Sequence, residues 1–336
     1  MDTQAAVSDI ATLAYQLKSR KTNKNPTVLF VGARAGGLFR SEEFYSRSQQ
    51  FTSRPSFGSL PLSEQFSECF KVLMSDRLGE TDKDNLLKDA LQNQPCSPAD
   101  LALANLVKKG IFDIIISTNI DGLLEDAFKS VNLRPGLDYQ VRIPQRFVYS
   151  ESESVFIGNK PTLIKVFGDM AAPPYRTKEA FYLNDYRDLK RDLESYLRRD
   201  VLLIGFDPIW DQEIDDIFPS DEGSVWYVDK ELPAETSHFS RILKNRKGSK
   251  LLDITYDLFI QKLYNYIGEE EPPSGELVQV MSSQIQEVSE LFKQIQEIRQ
   301  QVGQIQEIHE QVKQIHNGVL SLQTSVRNLR TDERES

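Results

Sequence analysis

Cysteine is scarce in this chain. Cys69 and Cys96 are the only two in 336 residues, and they are not in Cys-x-x-Cys spacing. Two thiols cannot complete a four-cysteine zinc site, so no zinc ribbon and no metal centre are expected. Such sparing use fits free thiols in a reducing compartment. Long apolar runs are also missing: none approaches the ~20 residues of a membrane-spanning helix. The segment Met1-Asp2-Thr3-Gln4 lacks a basic stretch followed by an apolar one, so no secretory signal is expected. A cytoplasmic protein with no membrane partner is the resulting expectation. Positive charge is in deficit, with 40 Lys and Arg against 50 Asp and Glu and a net charge of −10. That argues against nonspecific nucleic-acid binding, which rests on clustered cations. It leaves a nucleotide ligand open, because backbone amides can hold phosphates. The length suits one or two domains, with a core large enough to need no cross-links.

What is present is a series of buried-strand signatures, each followed by a polar or glycine-containing turn. The most informative runs Ile114-Ile115-Ile116-Ser117-Thr118-Asn119-Ile120-Asp121-Gly122. Three consecutive isoleucines read as a strand covered on both faces, as in a parallel sheet. A helix should begin directly after Gly122. Ligands of open α/β sheets bind at the carboxyl ends of strands, which places Asn119 and Asp121 where a site is expected. The competing reading is that both residues cap the helix that follows.

Thr27 to Val31 is a second strand, and it enters the glycine-rich turn Gly32-Ala33-Arg34-Ala35-Gly36-Gly37. A strand feeding such a turn is the phosphate-holding arrangement of nucleotide folds. Further strands are expected at Thr162 to Phe167, Val201 to Ile204 and Ser224 to Val228. The turns after them are Gly168-Asp169, Gly205-Phe206-Asp207 and Asp229. Helices are expected over about residues 4–19, through much of 41–109, and from Asn184 to Arg198. Breaks at Pro55 and at Pro95 to Pro98 divide the 41–109 segment. After Pro98 the apolar spacing Leu101, Leu103, Leu106, Val107 fits a helix leading to the isoleucine strand. Strands alternating with helices predict an α/β, doubly wound parallel sheet of the Rossmann-like kind, with a helical insertion at 41–109.

Residues 268–275, acidic and then Pro-Pro, read as an extended linker. The tail 276–330 repeats in tens from Gln284, Gln294, Gln304 and Gln314. Its apolar positions are Ile285, Val288, Phe292, then Ile295, Ile298, Val302, then Ile305, Ile308, Val312. The 3-4-3 spacing gives three turns per ten residues, which should overwind a left-handed supercoil. Val319, Leu322, Val326 and Leu329 return to heptad spacing. Such a narrow seam on a Gln- and Glu-rich helix needs a partner helix, so an all-α coiled coil over 284–329 is expected, in a homo-oligomer or with a helical partner.

The order of the strand-end motifs resembles the sirtuin superfamily, and within it the bacterial sirtuin-like domains of anti-phage defence proteins. The likeness rests on Val31 to Gly36, on Ser117 to Leu123, on Lys165-Val166-Phe167-Gly168-Asp169, and on Leu203 to Asp207 with Trp210-Asp211. It spans about residues 26–266 of a sirtuin-like domain drawn at 1–267. Many such defence domains destroy NAD rather than deacylate proteins, so the resemblance implies NAD, or an ADP-ribose-like nucleotide, as ligand. It implies that Gly32, Ala33, Arg34 and Gly36 approach the pyrophosphate. Asn119 would order the nicotinamide-side ribose and a water near the anomeric carbon. Asp121 would contact the carboxamide. Gly205 and Asp207 would line the far side of the nucleotide, and Asp229 would meet the adenosine ribose. Thr118, Gly168 and Phe206 are grouped with these as nucleotide-binding positions.

Three departures bear on activity. The family turn reads Gly-Ala-Gly-x-Ser, whereas Arg34 and Gly36 stand here for its second glycine and its serine. The arginine would either supply charge to phosphates or block the cleft. The family's Lys-x-His-Gly carries a general base, and that histidine is Phe167 here. The other histidines are His238, His309 and His316, none of them nearby in sequence. Losing a general base typically costs ~10²–10⁴-fold, leaving Asp169, Asp207 or Tyr182 as candidate substitutes. Finally, the zinc ribbon of deacetylating sirtuins is absent, which argues against a protein deacylase. Two functions compete. One is an NAD hydrolase of the defence type, with Asn119, Asp121, Asp169 and the shielding Phe167 at its centre. The other is a catalytically degenerate module acting through its coiled coil.

Overall fold

The strand Val-Leu-Phe-Val at residues 28–31 is buried at all four positions, as are Ile114 to Ser117, Thr162 to Lys165, Val201 to Ile204 and Val225 to Val228. Strands apolar on both sides pack only inside a sheet that is covered on both faces. The computed structural model places them there, and it describes residues 3–92, 94–144, 146–147, 160–176, 183–231 and 233–268. In chain order the elements are α1 (Thr3–Thr22), β1 (Val28–Val31), α2 (Gly37–Arg40), α3 (Glu42–Ser48), α4 (Leu62–Leu73), α5 (Glu80–Leu91), α6 (Pro98–Lys108), β2 (Ile114–Ser117), α7 (Leu123–Ser130), β3 (Gln140–Ile143), β4 (Arg146–Phe147), β5 (Thr162–Lys165), β6 (Gly168–Asp169), β7 (Ala172–Tyr175), α8 (Arg187–Leu197), β8 (Val201–Ile204), α9 (Gln212–Asp215), β9 (Val225–Val228), α10 (His238–Asn245), β10 (Lys250–Leu252) and α11 (Tyr256–Gly268). They lie in a unit spanning Met1–Glu269; the coiled coil expected over 276–330, and the linker from 269 onward, fall outside the described residues.

The sheet order is β10-β9-β8-β1-β2-β5-β3-β4. Every neighbouring pair is parallel except the short β3–β4 pair at one edge. Alternate residues along each strand face opposite ways, so two cores form. Val28, Phe30, Ile116, Leu203 and Tyr227 join one with Phe66, Leu87, Leu193 and Trp210, from α4, α5, α8 and the loop before α9. Leu29, Val31, Ile115, Leu202 and Trp226 join the other with Leu13, Leu103, Phe128 and Leu263, from α1, α6, α7 and α11. The sheet is thus doubly wound, as the alternation of strands and helices predicts.

The helical stretch 41–109 divides between these cores. Helices α4 and α5 cover one face, while α6 sits on the other against α11. Helix α6 starts where its sequence signals it: Ser97 Oγ accepts from the Asp100 N–H, Asp100 reaches back to the Ser97 N–H, and Pro98 occupies the first position. The strand expected over Thr162 to Phe167 stops at Lys165, and after it Gly168, at φ +82°, opens the β6–β7 hairpin.

Candidate functional site

Four strand ends meet above the middle of the sheet: those of β1, β2, β5 and β8. The turn after β1 is tied to its neighbours and to itself by its backbone N–H groups. The Gly32 N–H donates to the Ile204 carbonyl at 2.8 Å, and the Arg34 N–H to the Gly205 carbonyl at 2.9 Å. Ala33 N–H donates to Asp211 Oδ2 at 3.3 Å and Gly37 N–H to Asp121 Oδ2 at 2.8 Å. Ala35 and Gly36 N–H close the turn on the carbonyls of Gly32 and Ala33. All six amides from Gly32 to Gly37 therefore have protein acceptors.

The glycines of this region are needed for the chain's own close packing. A Cβ on Gly32 would lie 2.4 Å from the Gly205 carbonyl oxygen. Gly205 itself has φ +66°, and a Cβ there would meet the Ala35 nitrogen at 2.6 Å. At Gly36 a Cβ would sit 1.9 Å from Asn119 Oδ1. The space of the missing side chain is filled by Asn119.

Asn119 and Asp121 stand at the end of β2 as the sequence places them, each 8% exposed. Asn119 Nδ2 donates to the Gly32 carbonyl at 3.1 Å. Asp121 accepts from Gly37 N–H through Oδ2 and from Leu123 N–H through Oδ1, at 3.2 Å. The second satisfies the first N–H of α7 from one residue outside the N-cap, Gly122, so neither Asn119 nor Asp121 is itself the N-cap that the sequence raised. The first ties the turn after β1 to the end of β2. Thr118 is fully buried; its carbonyl accepts from Trp210 Nε1 at 2.9 Å.

Phe167, where the resemblance led a histidine to be expected, is wholly buried. The Arg176 guanidinium lies 3.9 Å from its ring centroid, and Arg176 N–H donates to the Phe167 carbonyl at 2.7 Å. Arg176 also pairs with Glu213 at 3.1 Å. This ring is a cation–π platform inside the core. Phe206 likewise packs inward, with ring centroids 6.3 Å from Phe30 and 4.8 Å from Phe239.

The candidate substitutes for a base are engaged. Asp169 accepts from Lys165 Nζ at 2.6 Å and from Ala171 N–H at 2.7 Å. Asp207 accepts from Ile209 and Trp210 N–H through Oδ1, and from Arg34 Nε through Oδ2 at 3.0 Å. Tyr182 lies outside the described residues. His238, the one histidine among them, pairs with Asp215 at 3.0 Å.

Arg34 is 9% exposed along its side chain and carries three carboxylates: Asp207, Asp229 at 3.8 Å and Glu231 at 3.1 Å. Burial opposes its charge, and these carboxylates outweigh that and hold its pKa above the ordinary arginine value. Burial pushes the Asp229 carboxyl up despite the arginine.

The sequence assigned no role to three residues that organise the site. Lys165 is 1% exposed; its Nζ donates to the Asp121 carbonyl at 2.6 Å, Glu125 at 2.8 Å and Asp169. Its only signal was its place in Lys165-Val166-Phe167-Gly168. Asp211 lies under the β1 turn, and Glu231 anchors Arg34 from beyond β9. A cleft of about 1700 Å³ opens beside α7, lined by Asp121, Glu125, Asp169 and Met170 among others. Of the expected site residues it brings together only Asp121 and Asp169. No group of three or more metal-ligating side chains occurs among the described residues, and no described helix is long and apolar enough to cross a membrane.

No protein-family model matches the chain, and no curated protein matches it. Among solved structures it is similar to one described in terms of the mechanism and regulation of Sir2 enzymes. The two share 14% identity over 78% of this chain and 98% of that one, with a TM-score of 0.37. Another is a triple mutant of Sir2 homologues in complex with 2'-O-acetyl ADP ribose, at 11% identity, 82% and 99% coverage, and a TM-score of 0.37.

Proposed function

We propose that the chain is a catalytically degenerate sirtuin-like module that does not hydrolyse NAD and acts through its C-terminal coiled coil. The observation that carries this reading is the state of the β1 turn. A phosphate cradle needs free backbone N–H groups aimed at the ligand. All six amides from Gly32 to Gly37 donate within the protein, so the residues present do not fit the diphosphate of NAD in this arrangement. Phe167 adds to it, because a ring buried beneath Arg176 takes no proton.

A hydrolase reading keeps one observation in its favour: Asn119 and Asp121 stand together at a strand end, and Asp121 borders a large cleft. One assay decides between the two. The full chain is incubated with NAD and free nicotinamide is followed, alongside Asn119→Ala. No release above the variant is expected. Release by the parent that is lost in Asn119→Ala would establish the hydrolase instead.

The tail supplies the biological contact in this reading. A seam of one apolar residue every three or four positions gains stability only against another helix. A chain ending at Ile267 is expected to fall to a smaller assembly by light scattering. An unchanged number of subunits would remove the tail as the self-association element.

A further inference from the structure

Strand order reverses between β1 and β8. From β1 the chain builds toward β2, β5 and β3, and from β8 toward β9 and β10. The crevice outside the carboxyl ends at such a switch point is where open α/β sheets take their ligands. In this protein Arg34 spans it. Its backbone leaves β1, its Nε pairs with Asp207 after β8 at 3.0 Å, and its other arm reaches Asp229 and Glu231 after β9. Glu231 in turn accepts from Ser63 Oγ on α4, which draws the helical insertion over the same crevice.

The geometry points to Arg34 as an internal plug that excludes ribose-bearing nucleotides from the switch-point crevice. Carboxylates at this end of a doubly wound sheet accept ribose hydroxyls. Here Asp207 Oδ2 accepts from the guanidinium at 3.0 Å, and Asp229 faces it at 3.8 Å, its Oδ1 taken by the Glu231 N–H and its Oδ2 without a hydrogen-bond partner among the described residues. Three carboxylates surround one arginine, so the crevice also keeps a surplus of negative charge that disfavours phosphate. The inference rests on the reading of a degenerate nucleotide fold and deepens it: the site is filled by one side chain, and its loss reopens it.

The test is calorimetric titration of the full chain with adenosine and with ADP-ribose. Arg34 sits in a short helical turn, Ala33–Ala35, whose backbone alanine suits. Arg34→Ala is expected to bind adenosine at least tenfold more tightly than the parent. Adding Glu231→Gln, which removes one negative charge, is expected to extend the gain to ADP-ribose. A parent that binds adenosine as tightly as Arg34→Ala overturns the plug, as does a folded Arg34→Ala chain with no gain. If Arg34→Ala does not fold, Arg34→Gln decides, since the shorter neutral side chain withdraws the arm that reaches Asp229 and Glu231: tighter adenosine binding than the parent supports the plug and no gain overturns it. Nicotinamide release from NAD, followed in the same samples, tests the functional reading separately. Release by the parent would sink that reading and leave the binding data to judge the plug.

Discussion

Lys165→Met is expected to lower stability by about 3 kcal/mol, and the melting temperature by roughly 6–12 °C. The reason is an uncompensated pair of carboxylates. Among the described residues Lys165 is the one cation that Glu125 and Asp169 share, and it also satisfies the Asp121 carbonyl. Burial works against its ammonium, yet the two carboxylates outweigh that and hold its pKa above the ordinary lysine value. Methionine keeps most of the stem's volume and removes the charge. Glu125, which burial already pushes upward more than Lys165 draws it down, would then take up a proton at higher pH. Breaking a buried pair by removing one partner is costly, whereas removing both sides costs less. The loss is set at the low end of the roughly 3–5 kcal/mol of a fully buried pair, because Glu125 and Asp169 are 19% and 15% exposed.

Thermal melting of Lys165→Met and of Lys165→Met with Glu125→Gln checks this. The double variant should recover part of the loss, because the neutral amide no longer needs a counter-charge. A single variant within about 0.5 kcal/mol of the parent would show that the trident is ornamental to stability. The same lysine holds the ends of β2 and β5 together, so its loss should also disturb Asp121.

Much of this architecture was legible because burial on both faces writes itself into composition. Ile114 to Ile116 and Val201 to Ile204 leave no other placement than the middle of a sheet, and both appear there. Strand ends were less legible. Val166 and Phe167 continue the apolar run, but the chain leaves the ladder at Lys165 because Gly168 turns it into a hairpin. Strand β7 carries two consecutive prolines, which argue against pairing, and β10 has only three residues. At the site, the positions of Asn119 and Asp121 followed from the strand, but their partners did not. Nothing local in Gly32-Ala33-Arg34 reveals that Arg34 meets carboxylates 173, 195 and 197 residues away, in Asp207, Asp229 and Glu231. Long-range pairing is a property of the fold, as is the close approach that Gly32, Gly36 and Gly205 allow.

Asp211 supplies the other large effect, and it depends on pH. Its carboxyl is wholly buried beneath the β1 turn, with Oδ2 accepting from the N–H groups of Ala33 and Asp207. The Thr118 hydroxyl interacts with it but completes no well-formed hydrogen bond, and Oδ1 has no partner among the described residues. Burial pushes the pKa from 3.8 up to about 7, against the pull of those donors. The unfolded chain ionises this group freely near pH 4, while the folded chain holds the proton until about pH 7. The protonated group favours the folded state. That contribution is complete below about pH 4 and is lost as pH rises toward 7, for a total of about 4 kcal/mol. Asp211→Asn removes the titration, keeps one acceptor for the two N–H groups, and offers an amide donor to Thr118 Oγ1. The variant should therefore gain on the parent steadily between about pH 4 and 7, then hold a constant advantage of about 2–4 kcal/mol above it. Melting temperatures of both chains measured across that range decide the point. An offset that does not change with pH would mean that Asp211 is ionised throughout, and the ties from Asp211 to Ala33 and Asp207 would then be charge-assisted bonds that hold the β1 turn closed.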